Sequence, residues 1–306
     1  MTDSSQTQIA YVPEGVYGTT PATPAFKKLR VTAVPSLTPK NQYLVSDEIR
    51  PDRNVPGATL SGQSVGFDLP FEFSYSSFDD LIASFLGSAW SSNVIKNGVT
   101  ASSFTFENKL ITNVGTKYHR VNGAVANTMA LNVPANDKVT GSFGVMGKMA
   151  SAASAIVTGA TYNNPPTTDF YEGANDVAIT VGGAAVSVRS ASFNGTNNNR
   201  MRNVVGSKYT DGIGLGRFEV TGQLEAYFND STLYDQFLAD TYTTLQMVFT
   251  DAAAGTYTIL FPRIKLTSTD VPPGGNNGDV MANIGWQAVV DPTEGCAMKI
   301  TRAVLP

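Results

Sequence analysis

One histidine, His119, and one cysteine, Cys296, are present in 306 residues. A single imidazole cannot build a multi-histidine metal centre, and a hydrolytic triad would have to rest on His119 alone. A single thiol cannot close a disulfide within the chain, so no oxidising compartment is implied. Charge is also scarce: Asp, Glu, Lys and Arg make up 15% of residues, against about 25% in ordinary soluble domains. The balance is slightly acidic, with 21 Lys plus Arg against 25 Asp plus Glu and a net charge of −4. This argues against a protein that grips nucleic acid through a basic face, though not against one past which nucleic acid slides. No run approaches about 18 consecutive apolar residues, so no membrane-spanning helix is expected. The opening MTDSSQTQIAYVPEG lacks the basic start and apolar stretch of a signal peptide, and assembly in the cytoplasm is expected.

Motifs that would carry chemistry are equally thin. GIGLG (212–216) has neither the preceding buried strand nor the following helix of a dinucleotide fingerprint and reads as a flexible loop. DEIRPDR (47–53) and NNPPTTD (163–169) lack the spacing of a calcium loop. Asp79 and Asp80 are adjacent, so on a helix they point in different directions, and helix capping explains them better than acid–base catalysis. No catalytic, cofactor or metal residue is assigned.

What the chain does contain is turn and strand chemistry: 28 Gly, 16 Pro and many Thr and Asn. In SVGFDLPFEFSY (64–75), Val65, Phe67, Leu69, Phe71, Phe73 and Tyr75 alternate onto one face of a strand. Pro70 inside this run predicts an edge position or a bulge. Ser76 or Ser77 is expected to cap a short helix, with Phe78, Leu81, Ile82 and Phe85 on its apolar side and Gly87 as its stop. The pattern then recurs. RFEVTGQLEAYF (217–228) alternates, Asn229 or Asp230 is positioned to cap, and Leu233, Phe237 and Leu238 follow. SFTFENK is answered by LQMVFTD, and the block opening GTKY at 115 by one opening GTYT at 255. Identities are sparse, but the shared order of elements points to a duplicated β-rich unit.

The division expected is an extended arm over 1–25, a first β domain over 26–152, a low-charge linker over 153–183 and a second β domain over 184–306. The arm is expected to be removable (residues 1–20) without unfolding the rest. Aspartate at Leu81 or Phe237 is expected to unfold the corresponding domain. Long loops are expected over 37–57 and 196–216.

Three stretches resemble the two-domain tail tube proteins of long-tailed, non-contractile bacteriophages: residues 9–32, SDEIRPDRNVPG with SFDDLIASFLGS, and the C-terminal region from MVFTDAAAGTYTILFPRIKLTS through MKITRA. The resemblance spans nearly the whole chain. It implies a mainly β fold of two tail-tube-type β-sandwich or half-barrel units, each with one flanking helix, joining neighbouring copies into a ring with a continuous inner β-barrel. A chain with two units then needs three copies for a pseudo-sixfold ring; a hexamer of chains with one tube unit each is the alternative. It further implies stacking of rings into a virion tail, with the arm and long loops as bridges. Tape measure, tail terminator and distal tail proteins would be its partners, with genomic DNA passing through the lumen unbound. An acidic lumen would repel phosphate, and Asp68, Glu72, Glu219 and Glu225 are its candidates; ordinary solvated outer faces are the other reading of these residues. A carbohydrate-binding β-sandwich module or tail-tip adhesin is the competing function, and a β-rich hydrolase is disfavoured by the missing histidines.

Overall fold

The computed structural model describes residues 6–273, 276 and 278–304. The first half runs β1 (Gln8–Pro13), β2 (Ala25–Lys28), β3 (Lys40–Val45), β4 (Ala58–Glu72), α1 (Asp79–Leu86), β5 (Val94–Lys96), β6 (Phe104–Thr112), β7 (Gly115–Pro134), β8 (Thr140–Gly147) and β9 (Met149–Ala153). There follow β10 (Thr161–Asn163), β11 (Val177–Val181), β12 (Ala184–Ala185), β13 (Val188–Thr196), β14 (Arg200–Arg202), β15 (Gly212–Gly214), β16 (Glu219–Tyr227), α2 (Thr232–Leu238), β17 (Tyr242–Asp251), β18 (Gly255–Asp270), β19 (Met281–Ala288) and β20 (Lys299–Val304). The chain is mainly β, and its described residues form no closed barrel.

The two halves use one pairing scheme. β4 pairs with β8, β8 with β7 and β7 with β6; β16 pairs with β19, β19 with β18 and β18 with β17. A short helix follows β4 and β16 alike. In each half one long strand serves two sheet layers. β7 pairs with β6 up to Ala124 and with β8 from Val125 onward. The change of partner comes where this single strand bends, at Gly123. That residue has φ 62°, and a Cβ on it would press on Lys148 and Tyr17. β18 behaves likewise, pairing with β20 over its first residues and with β19 over its last.

The alternation of β4 is realised: Val65, Phe67, Leu69, Phe71, Phe73 and Tyr75 are all buried. Phe71 packs on Phe78 at 4.3 Å and on Phe143 at 5.0 Å between ring centroids. Pro70 sits on an outer edge, its carbonyl accepting the Thr32 N–H at 3.0 Å, so its missing donor interrupts no ladder.

The helices depart from expectation in their caps. Phe78 is the N-cap residue of α1, with no side-chain cap; the Ser77 hydroxyl bonds Ser74 instead, at 2.7 Å. The first-turn acids are tied to distant strands. Asp79 is held by Tyr257 and Arg302, and Asp80 accepts from Tyr11 at 2.9 Å and Lys27 at 2.6 Å. Gly87 ends the helix in the left-handed conformation. At α2 the Asp230 carboxylate accepts the Thr232 N–H at 2.8 Å and is held below the usual carboxylate range by that bond. No residue of α2 is fully buried. Leu81→Asp and Phe237→Asp therefore differ. The first places a carboxylate in the core and is expected to cost about 4 kcal/mol or more. The second, at a half-buried position, should cost clearly less, and thermal unfolding of the two variants compares them.

Two regions expected to be loose, 1–25 and 153–183, are built into the fold, and the two long loops carry hairpins. Within 1–25, whose first five residues lie outside the described residues, β1 is a buried strand paired with β2 and β6. β2 follows at Ala25–Lys28. Within 153–183, β10 adds to β2 and β11 to β17. Tyr171 is fully buried, 5.4 Å from the Phe73 ring and 5.7 Å from that of Phe249. Tyr162 donates to the buried Glu107 carboxylate, which Arg120 neutralises at 2.5 Å. Of the long loops, 37–57 contains β3, whose hairpin with β4 stands out with every residue of β3 exposed. The second, 196–216, carries a β14–β15 hairpin, and GIGLG supplies its second strand. One apolar core runs through both halves, from Ile9 to Ile300.

Candidate functional site: a polar sheet face with two open edges

Seven strands lie side by side in the order β4, β8, β7, β13, β16, β19, β18, crossing from one half of the chain to the other. Because side chains alternate across a strand, the register sorts them into two faces. Phe71, Leu131, Phe193 and Trp286 turn to the core. On the other face one row runs Pro70, Ser142, Ala130, Asn194, Thr221, Gln287, and the next runs Glu72, Thr140, Asn132, Ser192, Gln223, Gly285, Ser268. The sheet curves around this face and encloses a groove of about 920 Å³, none of whose lining residues is charged. Hydroxyl and amide side chains stand along its wall, with apolar surface from Pro70, Ala130 and the neighbouring Phe71, Leu131, Phe193 and Trp286 between them. The sequence carries this signal in the polar positions interleaved with core residues in SASFNG and EVTGQLEAYF.

The four acidic candidates share that face but stand outside the groove. Asp68 lies opposite Gly144, Glu72 opposite Thr140, Glu219 opposite Thr196 and Glu225 opposite Ser190. Three are matched by cations: Glu72 by Lys138, Glu219 by Arg217 and Glu225 by Arg189 at 3.3 Å. The bond to Glu72 raises the Lys138 ammonium above its ordinary value, and Arg217 with Asn198 holds the Glu219 carboxyl low. Asp68 has no ion pair among the described residues. The face is thus mostly uncharged, with three of its four acids in ion pairs at the margins.

Among the described residues, both ends of the seven-strand run are open. Over residues 65–72 the backbone of β4 away from β8 is met, among those residues, by the single Thr32–Pro70 bond. At the far end, β18 residues 268–270 pair with β19 on one side only. Between the halves the same kind of edge is closed: β7 pairs with β13 from Thr128↔Thr196 to Pro134↔Ser190. Phe85 of α1 crosses this junction. Its ring fills the space over Gly195, where no Cβ would fit, and lies 5.5 Å from Phe218. Asn197 donates to the Phe85 carbonyl at 2.7 Å.

Other chemistry-bearing residues do not gather into a reactive site. Among the described residues, no three or more His, Cys, Asp or Glu side chains are grouped to hold a metal ion. Burial pushes the Cys296 thiol up, away from the thiolate form. His119 sits in β7 opposite Asn108 and Ala152. Trp286 packs on Phe261 at 4.8 Å, and the Trp90 indole donates to the Asp79 carbonyl at 3.1 Å.

No curated protein matches the chain. Over residues 4–288 the sequence matches the family described as phage tail tube protein. With that match covering nearly its whole length, the chain belongs to the phage tail tube protein family and is a structural component of a phage tail.

Proposed function

We propose that this protein is the major tail tube subunit of a long-tailed, non-contractile phage, and that three copies, each supplying two β units, close into a ring with pseudo-sixfold symmetry and a continuous inner β-barrel. The β7–β13 junction carries this reading. One unit hands its sheet to the next edge to edge, and the same join repeated between copies turns two open edges into a closed ring. Superposing the halves on Phe71 and Leu224 puts Thr269 in the place of Leu131, and Ala33, next to the Thr32–Pro70 contact, in the place of Phe193. Leu131 faces Phe193 within the chain, so Thr269 faces Ala33 of the next copy.

The groove face then lines the lumen, with Asp68, Glu72, Glu219 and Glu225 bordering it. With the bordering Lys138, Arg189 and Arg217 already paired, the face offers phosphate no free positive charge, and ejected DNA slides. The exposed β3–β4 hairpin bridges stacked rings, tape measure protein occupies the lumen before ejection, and terminator and distal tail proteins cap the ends. Assembly takes place in the cytoplasm of the bacterial host.

Negative-stain microscopy of the purified protein tests this. Rings or tubes with a central hole and three chains per turn support it; six chains per turn favour one tube unit per chain, and monomers that bind glycans favour the adhesin. A second test addresses the lumen. Ser192→Lys with Gln223→Lys should give tubes that retain duplex DNA at low salt and release it at high salt, where wild-type tubes retain none at either.

A further inference from the structure

The two helices occupy matching places in the repeat but have different surroundings. In the superposition on Phe71 and Leu224, Leu81 corresponds to Tyr234 and Phe85 to Leu238. Leu81 and Phe85 are 1% and 0% exposed, whereas Tyr234 and Leu238 are 39% and 63% exposed. Tyr227, Phe228 and Tyr242 are exposed as well, so the end of the second unit presents an apolar patch. What buries Phe85 is the following unit, through Gly195, Asn197 and Phe218. No described residue does the same for Leu238.

We propose that α2 is covered in the assembled state by residues 31–38 of a second copy of this chain, with Leu238 seated beside that copy's Pro35. The contact rests on the ring reading above and specifies where its copies meet. Three observations commit it to this occupant. The placement that sets Ala33 where Phe193 stands sets Pro35 where Gly195 stands, two residues on. The side-chain sizes compensate: inside the chain a phenylalanine lies over a glycine, and between copies a leucine would lie over a proline. A cavity of about 780 Å³ opens beside this segment, lined by Val31, Val34, Pro35 and Leu37 among others.

Leu238→Glu tests the contact. Because Leu238 is exposed in the single copy, the variant should keep the wild-type melting temperature and circular dichroism. The concentration needed for rings should rise about tenfold or more, the scale set by failing to bury one leucine. Leu238→Met should assemble as wild type does. Hydrogen exchange on the wild-type protein gives a readout independent of any substitution: amides of 231–239 should slow when rings form. Rings from Leu238→Glu at the wild-type concentration, or unchanged exchange in that segment, would overturn the α2 contact while leaving the ring intact. Failure of the wild-type protein to form any ring would overturn the ring reading itself, and the contact with it.

Discussion

Deleting residues 1–20 should prevent the first half from folding. The deletion removes β1, whose Ile9, Ala10, Tyr11 and Val12 are buried and which pairs with β6 from Gln8↔Lys109 to Pro13↔Phe104. At about 1.5–3 kcal/mol for each large apolar side chain, Ile9, Tyr11 and Val12 together contribute about 6 kcal/mol, comparable with the whole stability of an ordinary domain. Phe26, which packs with Ala10 and Val12, loses its cover. Glu14 leaves too, and its carboxylate accepts from Gly18 N–H at 2.7 Å, Ser103 Oγ at 2.7 Å, Thr105 Oγ1 at 2.8 Å and Gly123 N–H at 2.9 Å. That clasp holds the turn after β1 against the bend of β7. The expected result is insoluble protein, or soluble protein without a cooperative thermal transition. A soluble deletion variant melting at the wild-type temperature would mean that β1 does not hold the sheet.

Pairing Ala33→Cys with Thr269→Cys should convert assembled protein into covalent trimers. Residues directly opposite one another in antiparallel strands lie about 4.5–5.5 Å apart between Cα atoms, within the span a disulfide bridges. Within one copy the two positions lie at opposite ends of the seven-strand run, so any bond formed joins copies. Cys296 is buried, with its thiol pushed up, and does not compete. Under oxidation, non-reducing electrophoresis should show a ladder that stops at three chains, while each single-cysteine variant stays monomeric. A ladder reaching six would mean one tube unit per chain in the ring. Monomer alone, from a preparation that forms rings, would place the edge contact elsewhere.

Much of this architecture was legible in the sequence because period-two burial writes itself plainly. The run from Val65 to Tyr75 alternates without a break, and all six of its inward residues are buried. α1 was legible through its i, i+3, i+4 spacing and Gly87. The repeat was visible as an order of elements. β1 was missed because QIAYVP is short and sits among prolines and threonines, so local composition spoke for an arm while long-range pairing with β6 decided otherwise. The 153–183 stretch misled for the same reason: its small residues look like linker, yet Tyr162 and Tyr171 anchor it through partners far away in sequence. The acidic candidates stand on one face of the sheet. Their cations were not foreseen, since Lys138 and Arg189 reach Glu72 and Glu225 only across strands, and uncharged side chains give a motif search nothing to find.

The closed junction between β7 and β13 bears on how such a ring would come apart. In a three-copy ring every second seam is stitched by a peptide chain and survives any dilution, so rupture is confined to the other three. The tethered pairs also hold one another at high local concentration, which lowers the subunit concentration at which a ring first closes and leaves no free half-unit to wander off or to block a growing end.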